Sequence, residues 1–148
     1  MKTFVITLII AAFLQTTILP IDLVLLILIC RTYIKSEKSN LYLAFAFGLL
    51  NSHLNLNLLG LQSLVYLFFV QTTESLSKMR LAGNPLLIVP ISLIFLSLNQ
   101  VVISMINHSV VLEFSRVIFA SLLSLPTFYL IRFWEERFVV RKEIKLRV

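Results

Sequence analysis

The sequence predicts an all-α integral membrane protein with about six transmembrane helices and both termini in the cytoplasm. Of its 148 residues, 59% are hydrophobic and only 14% are charged, and the mean hydropathy is +0.97. Soluble domains are about 45–50% apolar. The apolar runs have the length of helices and lack the two-residue alternation of strands. Because lipid admits only helices or closed barrels, we expect residues 1–148 to form one polytopic membrane domain.

The first two predicted helices are separated by Pro20, which would cost a helix interior one backbone hydrogen bond. Helix one is predicted over Thr3–Leu19. The run resembles a secretory signal, but no small-residue cleavage site follows it, so we expect it to stay uncleaved. Helix two runs from Pro20 or Ile21 to Ile34, with Asp22 complementing the helix dipole. It is only about 21 Å long, so one span plus an interfacial segment remains an alternative to two spans.

Helix three follows a polar, basic loop and is predicted over Leu41–Leu50. Small residues recur here at every fourth position and form one face on which a neighbouring helix can pack closely. They are Ala44, Gly48 and Ser52. Helix four is predicted from Gly60 or Leu61 to Lys78, where Glu74 and Lys78 are spaced for an i, i+4 ion pair.

The last two helices are separated from the rest and from each other by turn signals. Gly83-Asn84-Pro85 indicates a turn, and helix five is predicted over Leu86–Ile106. A second turn at residues 107–109 leads into helix six, predicted over Val110–Trp134, with a bend at Pro126. Residues 132–148 are expected to form a basic cytoplasmic tail, which could anchor to anionic lipid, dock a partner or only retain the chain inside.

The charge distribution predicts the orientation. With six spans and both ends inside, twelve of the thirteen Lys and Arg residues fall in the cytoplasm, and only Arg116 does not. This partition obeys the positive-inside rule. The net charge of +6 is therefore explained by topology, and we expect contact with the lipid bilayer and none with nucleic acid.

A run of amides interrupts the apolar sequence between the third and fourth helices. Its members are Asn51, Asn55, Asn57 and Gln62. A buried amide without a hydrogen bond costs roughly 2–7 kcal/mol, so these side chains must find partners or water. Residues 51–58 read equally as a helix with a polar stripe or as an alternating extended segment. We expect a helix end, a short irregular turn and a new helix at Gly60 or Leu61.

Residues that could carry chemistry are few. His53 and His108 have no carboxylate or cysteine at ligand spacing, so we expect no metal and no cofactor. Cys30 lies in an apolar run and reads as a core residue. Without a catalytic set we expect no enzyme. The polar candidates within the membrane are Asn99, Gln100, Glu113 and Arg116, the last two spaced as a pair at the start of helix six.

Short motifs between about residues 18 and 70 resemble the rod shape-determining protein MreD family. They are Pro20-x-Asp22-Leu23 at the start of an apolar helix, Gly48-Leu49-Leu50 followed by a polar residue, Leu59-Gly60-Leu61, and Tyr66. Family members usually carry an aspartate after Gly-Leu-Leu, and this chain has Asn51 instead. The asparagine keeps the hydrogen-bonding capacity and loses the charge.

The resemblance implies a non-enzymatic scaffold of bacterial cell-wall elongation in the inner membrane. MreC would be its direct partner, with RodA, a penicillin-binding transpeptidase and MreB reached through it. The family architecture is similar to that of the substrate-binding components of energy-coupling-factor transporters. A small-molecule-binding transport component is therefore the alternative, and it predicts an outward polar pocket near residues 51–57, His108 and Glu113. A structural membrane protein unrelated to either remains a third possibility.

Overall fold

A computed structural model describes residues 2–18, 21–56, 58–79, 84–106, 108 and 114–138. These ranges form six α-helices and one 3₁₀ turn, Pro85–Leu87, which comes directly before the fifth helix. The helices are α1 (Lys2–Thr17), α2 (Leu23–Ile34), α3 (Lys38–Leu54), α4 (Leu61–Lys78), α5 (Ile88–Ile106) and α6 (Phe114–Phe138). No strand occurs in the described ranges, and the prediction of an all-α fold with six helices is confirmed.

Helix α2 lies at the centre and packs against each of the other five helices. Ten of its 12 residues are buried. A helix enclosed on all sides has no need of a polar face, which explains why Leu23–Cys30 is continuously apolar. The apolar side chains of α2 contact the other helices.

Helices α3 and α4 form a closely packed antiparallel pair. Helix α3 is longer than predicted, since it begins at Lys38 rather than Leu41 and ends at Leu54 rather than Leu50. Asn40 stabilises this early start, because its Nδ2 donates to the backbone oxygen of Lys35 at 2.8 Å. Helix α4 begins at Leu61 after Gly60 in a left-handed conformation, φ 93°. The break predicted between the two helices is present at this place.

Helix α5 begins later than predicted, and helix α6 ends later than predicted. The expected start of α5 at Leu86 falls in the 3₁₀ turn. The backbone N–H of Leu86, the first in this turn, donates to the Asn84 side-chain oxygen at 3.4 Å. Helix α6 continues beyond the predicted end at Trp134 to Phe138 with Pro126 inside it. The first part of the predicted tail, 132–138, is therefore helical, and the rest lies outside the described residues, as do positions 110–113.

Large apolar side chains cover much of the outer surface. Phe13 on α1 is more than half exposed, and so are Phe119 and Leu130 on α6. Exposing such an apolar surface to water is unfavourable. Two helical segments, Pro85–Ile106 and Phe114–Arg137, are long and apolar enough to cross a membrane. Helices α1 and α2 are apolar but shorter.

Candidate functional site

Polar side chains from the first five helices meet in a cluster at one end of the fold. We call it the amide cluster, and its members are Gln15, Asp22, Asn51, Asn55, Gln62, Tyr66 and Asn99. Asn51 on α3 lies at its centre and is fully buried. Its Nδ2 donates to the Tyr66 hydroxyl at 2.8 Å, while its Oδ1 accepts from Asn55 Nδ2 at 2.8 Å and from Gln15 Nε2. One amide thus connects α1, α3 and α4.

Gln15 extends the cluster from α1 to the start of α2. Besides donating to Asn51, it accepts through Oε1 the backbone N–H of Val24 at 3.1 Å. The first N–H groups of a helix have no partner within the helix, so Gln15 caps α2 from a different helix. It is the only amide or charged residue of α1 after Lys2, and that isolation is the sequence signal by which it could have been singled out.

Asp22 connects the cluster to α5. It occupies the N-cap position of α2, yet its side chain makes no capping hydrogen bond. The carboxylate instead accepts from Asn99 Nδ2, and the Asn51 amide lies within hydrogen-bonding reach of it. The sequence predicted that Asp22 complements the helix dipole and that Asn99 is a polar residue within the membrane. The structure brings the two residues together.

Two amides at the edge of the cluster have polar atoms without partners. Gln62 is buried with its amide within reach of the Tyr66 hydroxyl, but neither its Oε1 nor its Nε2 makes a hydrogen bond of normal geometry. Asn99 is also buried, and its Oδ1 is unpaired. Both side chains line a small cavity between α4 and α5 with an internal volume of about 10 Å³. This is the space of about one water molecule.

The small-residue face predicted on α3 lies against α4. Ala44, Gly48 and Ser52 are all buried. A Cβ placed on Gly48 would lie 2.5 Å from the Cα of Ser63 and 2.9 Å from its backbone nitrogen. The backbones therefore approach so closely that only glycine fits at this position, and the approach brings Asn51 within reach of Tyr66.

The opposite end of the fold carries charged residues. The buried guanidinium of Arg31 lies 3.8 Å from Glu37, 3.7 Å from Glu135 and 4.0 Å from the centre of the Phe4 ring. The Lys35 ammonium lies 2.7 Å from Glu37 and holds the pKa of that carboxyl below its usual value. These contacts join α1, α6 and the α2–α3 connection at the end remote from the amide cluster.

The remaining predicted positions do not join the cluster. Gln100 is half-buried on α5, and Arg116 is exposed on the first turn of α6. His53 and His108 are also exposed. Gly60 serves the turn before α4. Pro20, Asn57 and Glu113 lie outside the described residues, so the proposed pairing of Glu113 with Arg116 has no structural description.

Comparison with known proteins yields no relative. No family model matches the chain, and no curated protein or solved structure matches it significantly. In the parts of the chain that the structure describes, no three His, Cys, Asp or Glu side chains are grouped as metal ligands. The likeness to the MreD family therefore rests on the motif residues alone.

Proposed function

We propose that this protein is a non-enzymatic scaffold of the bacterial cell-elongation machinery, embedded in the inner membrane as six helices with both termini in the cytoplasm. It would bind MreC directly through helix contacts. RodA and a penicillin-binding transpeptidase, and MreB on the cytoplasmic side, would be reached through MreC.

The hydrogen bonding of Asn51 supports this proposal most strongly. Both of its polar atoms are paired within the chain, since the amide oxygen accepts from Gln15 and Asn55 and the amide nitrogen donates to Tyr66. These bonds fix α1, α3 and α4 relative to one another, because breaking any of them would leave a buried polar group unpaired. A rigid bundle with an apolar exterior suits a protein that works by holding other membrane helices in place.

The size of the cavity favours the scaffold over a small-molecule transport component. Small-molecule sites usually enclose several hundred cubic ångströms (~300–1,000 Å³). The cavity beside Gln62 and Asn99 encloses about 10 Å³. Of the described positions that the transport hypothesis assigned to its pocket, Asn51 and Asn55 bind each other, and His53 and His108 are exposed.

Two experiments test the proposal. Depletion of the protein in a rod-shaped host is expected to give round cells, and re-expression of the full chain should restore rods. Affinity purification of the tagged chain in mild detergent should recover MreC, and an unrelated multi-pass protein carrying the same tag should not. Rod-shaped growth after complete depletion, or absence of every elongation protein from a preserved complex, would contradict the scaffold.

A ligand screen provides the opposing test. If the chain were a transport component, a vitamin-sized molecule would raise its thermal stability in detergent by binding the folded state. We expect no such stabilisation. A compound that raises the melting temperature in proportion to its concentration would favour the transport function.

A further inference from the structure

The small cavity between α4 and α5 is open on its outer side, and we call it the α4–α5 cleft. Unpaired polar atoms lie at its inner end, and its walls are apolar. Gln62 and Asn99 line its inner end, and the walls are formed by Leu61 and Val65 of α4 with Val102 and Ile103 of α5. The wall residues are half-exposed, whereas Gln62 and Asn99 are 4% and 1% exposed. The amides are thus covered from most directions and face a cleft whose sides are open to the exterior.

The unpaired atoms define what the cleft can hold. Gln62 offers an acceptor and donor N–H groups, and Asn99 offers the acceptor Oδ1. An occupant must therefore both donate and accept hydrogen bonds. The internal volume of about 10 Å³ admits one group of the size of water, which a hydroxyl matches and a bulkier group does not.

The surroundings of the cleft distinguish between possible occupants. Acyl chains of lipid cannot pair with amides, and buried unpaired amides are costly in hydrocarbon. Exposed apolar side chains flank the cleft on both sides, among them Leu64 and Phe68 on α4 and Leu98 and Met105 on α5. An apolar helix carrying one polar side chain would cover these residues and pair the amides in a single contact.

We propose that the α4–α5 cleft receives one hydroxyl side chain from a transmembrane helix of a partner protein. This inference rests on the proposed scaffold function and names its contact surface. Gln62 and Asn99 are the recognition residues, and the apolar walls position the incoming helix. Polar side chains act as interhelical contacts of this kind within membranes.

The first test is the recovery of co-expressed MreC with the full chain carrying Gln62→Met. Methionine keeps the length of the side chain and removes both polar atoms, so recovery should fall at least about threefold. The matched control is Gln71→Met, on the same helix but exposed, which should leave recovery unchanged. The melting temperature of Gln62→Met in detergent should not fall, because the substitution removes unpaired buried groups.

The outcomes separate this site from the scaffold function itself. Equal recovery with wild type and Gln62→Met would overturn the site and leave the scaffold standing. Loss of recovery with both variants, or a fall in the melting temperature of Gln62→Met, would show that the effect is not specific to the cleft and would also overturn the site. If wild type recovers no MreC, the proposed function fails, and a second measurement decides the site.

That measurement uses the full chain in nanodiscs and a synthetic transmembrane peptide of about 20 leucine and alanine residues with one serine at the depth of Asn99. Energy transfer between labels on the two reports binding. The serine peptide should bind wild type about threefold more tightly than its alanine counterpart, and Gln62→Met should abolish the preference. Equal binding of the two peptides to wild type would show that only water or lipid occupies the cleft and would overturn the proposal.

Discussion

Asn51 illustrates how a single residue determines the chemistry of the amide cluster. Its carboxamide donates to Tyr66 and accepts from Gln15 and Asn55. An aspartate could accept the same bonds but could not donate to Tyr66. It would also place a second carboxylate beside Asp22, which Asn51 approaches closely. The asparagine, found where the resembling family has an acid, therefore suits a cluster that already contains one carboxylate.

We expect Asn51→Asp to destabilise the protein by roughly 3 kcal/mol, the order of an uncompensated buried charge. The cause is repulsion between two buried carboxylates together with the lost donor to Tyr66. The measurement is thermal unfolding in detergent, followed by circular dichroism and compared with wild type. A melting temperature equal to that of wild type would show that Asp22 and Asn51 do not share one site.

The double variant Asp22→Asn with Asn51→Asp is the control. It restores a single carboxylate and exchanges the positions of amide and acid. If repulsion is the main cause, the double variant should regain most of the stability that Asn51→Asp loses. If it is no more stable than the single variant, the lost donor to Tyr66 explains the effect.

Sequence reasoning at this scale identified which groups need partners but not which partners they find. The need for hydrogen bonds at Asn51 and Asn99 follows from burial in an apolar chain. Their partners lie far along the sequence, 36 residues away for Gln15 and Asn51 and 77 for Asp22 and Asn99. Such pairs depend on how the helices pack, which no local pattern in one sequence specifies.

The helices themselves were largely predictable because apolar runs and prolines mark them directly. The errors lie at helix ends. Helix α3 includes Lys38 and Asn40, and α6 continues through a charged segment to Phe138. Polar residues can extend a helix beyond its apolar segment, so hydropathy alone places the end too early. The central position of α2 was also missed, since an all-apolar helix in lipid and one inside protein have the same pattern.

The close contact of α3 with α4 gives a prediction for Gly48→Ala. The added Cβ would lie 2.5 Å from the Cα of Ser63, which cannot move without displacing a helix. We expect a loss of about 2 kcal/mol from overpacking, partly offset by the better helix propensity of alanine. Thermal unfolding in detergent measures the change.

The matched control is Ala46→Leu, on the same helix. Ala46 is exposed, so the larger side chain adds more volume without meeting α4 and should leave the melting temperature unchanged. A Gly48→Ala protein as stable as wild type would mean that the two helices can separate at no cost. The packing of α3 on α4 would then not fix the position of Asn51.

Across the whole molecule, polar groups are divided between two ends of different chemistry. One end holds ion pairs around Arg31, Glu37 and Glu135. Among the described residues, the other end holds the amide cluster with the Asp22 carboxylate, and Arg116 on the first turn of α6. Basic residues stay on the cytoplasmic side of a membrane, so this division supports the proposed orientation. It also predicts which residues a reagent can reach from each side.

Cysteine accessibility in intact cells tests the orientation. The chain has one cysteine, Cys30, whose side chain is fully buried, so the wild-type chain should remain unlabelled by a membrane-impermeant maleimide. Ser36 lies just before α3 and Leu58 lies shortly after it, and both side chains are exposed. We expect Leu58→Cys to be labelled from outside, and Ser36→Cys to be labelled only after the cells are opened.

Each possible pattern has a separate meaning for the fold in the membrane. Labelling of both positions from outside would show that α3 does not cross the membrane and would contradict six spans. The reverse pattern would keep the spans but invert the orientation, and the charged end around Arg31 would then face outward against the positive-inside rule. Only the expected pattern places the amide cluster and the α4–α5 cleft near the outer surface of the membrane. A partner helix would then have to place its polar side chain at the outer depth of Gln62.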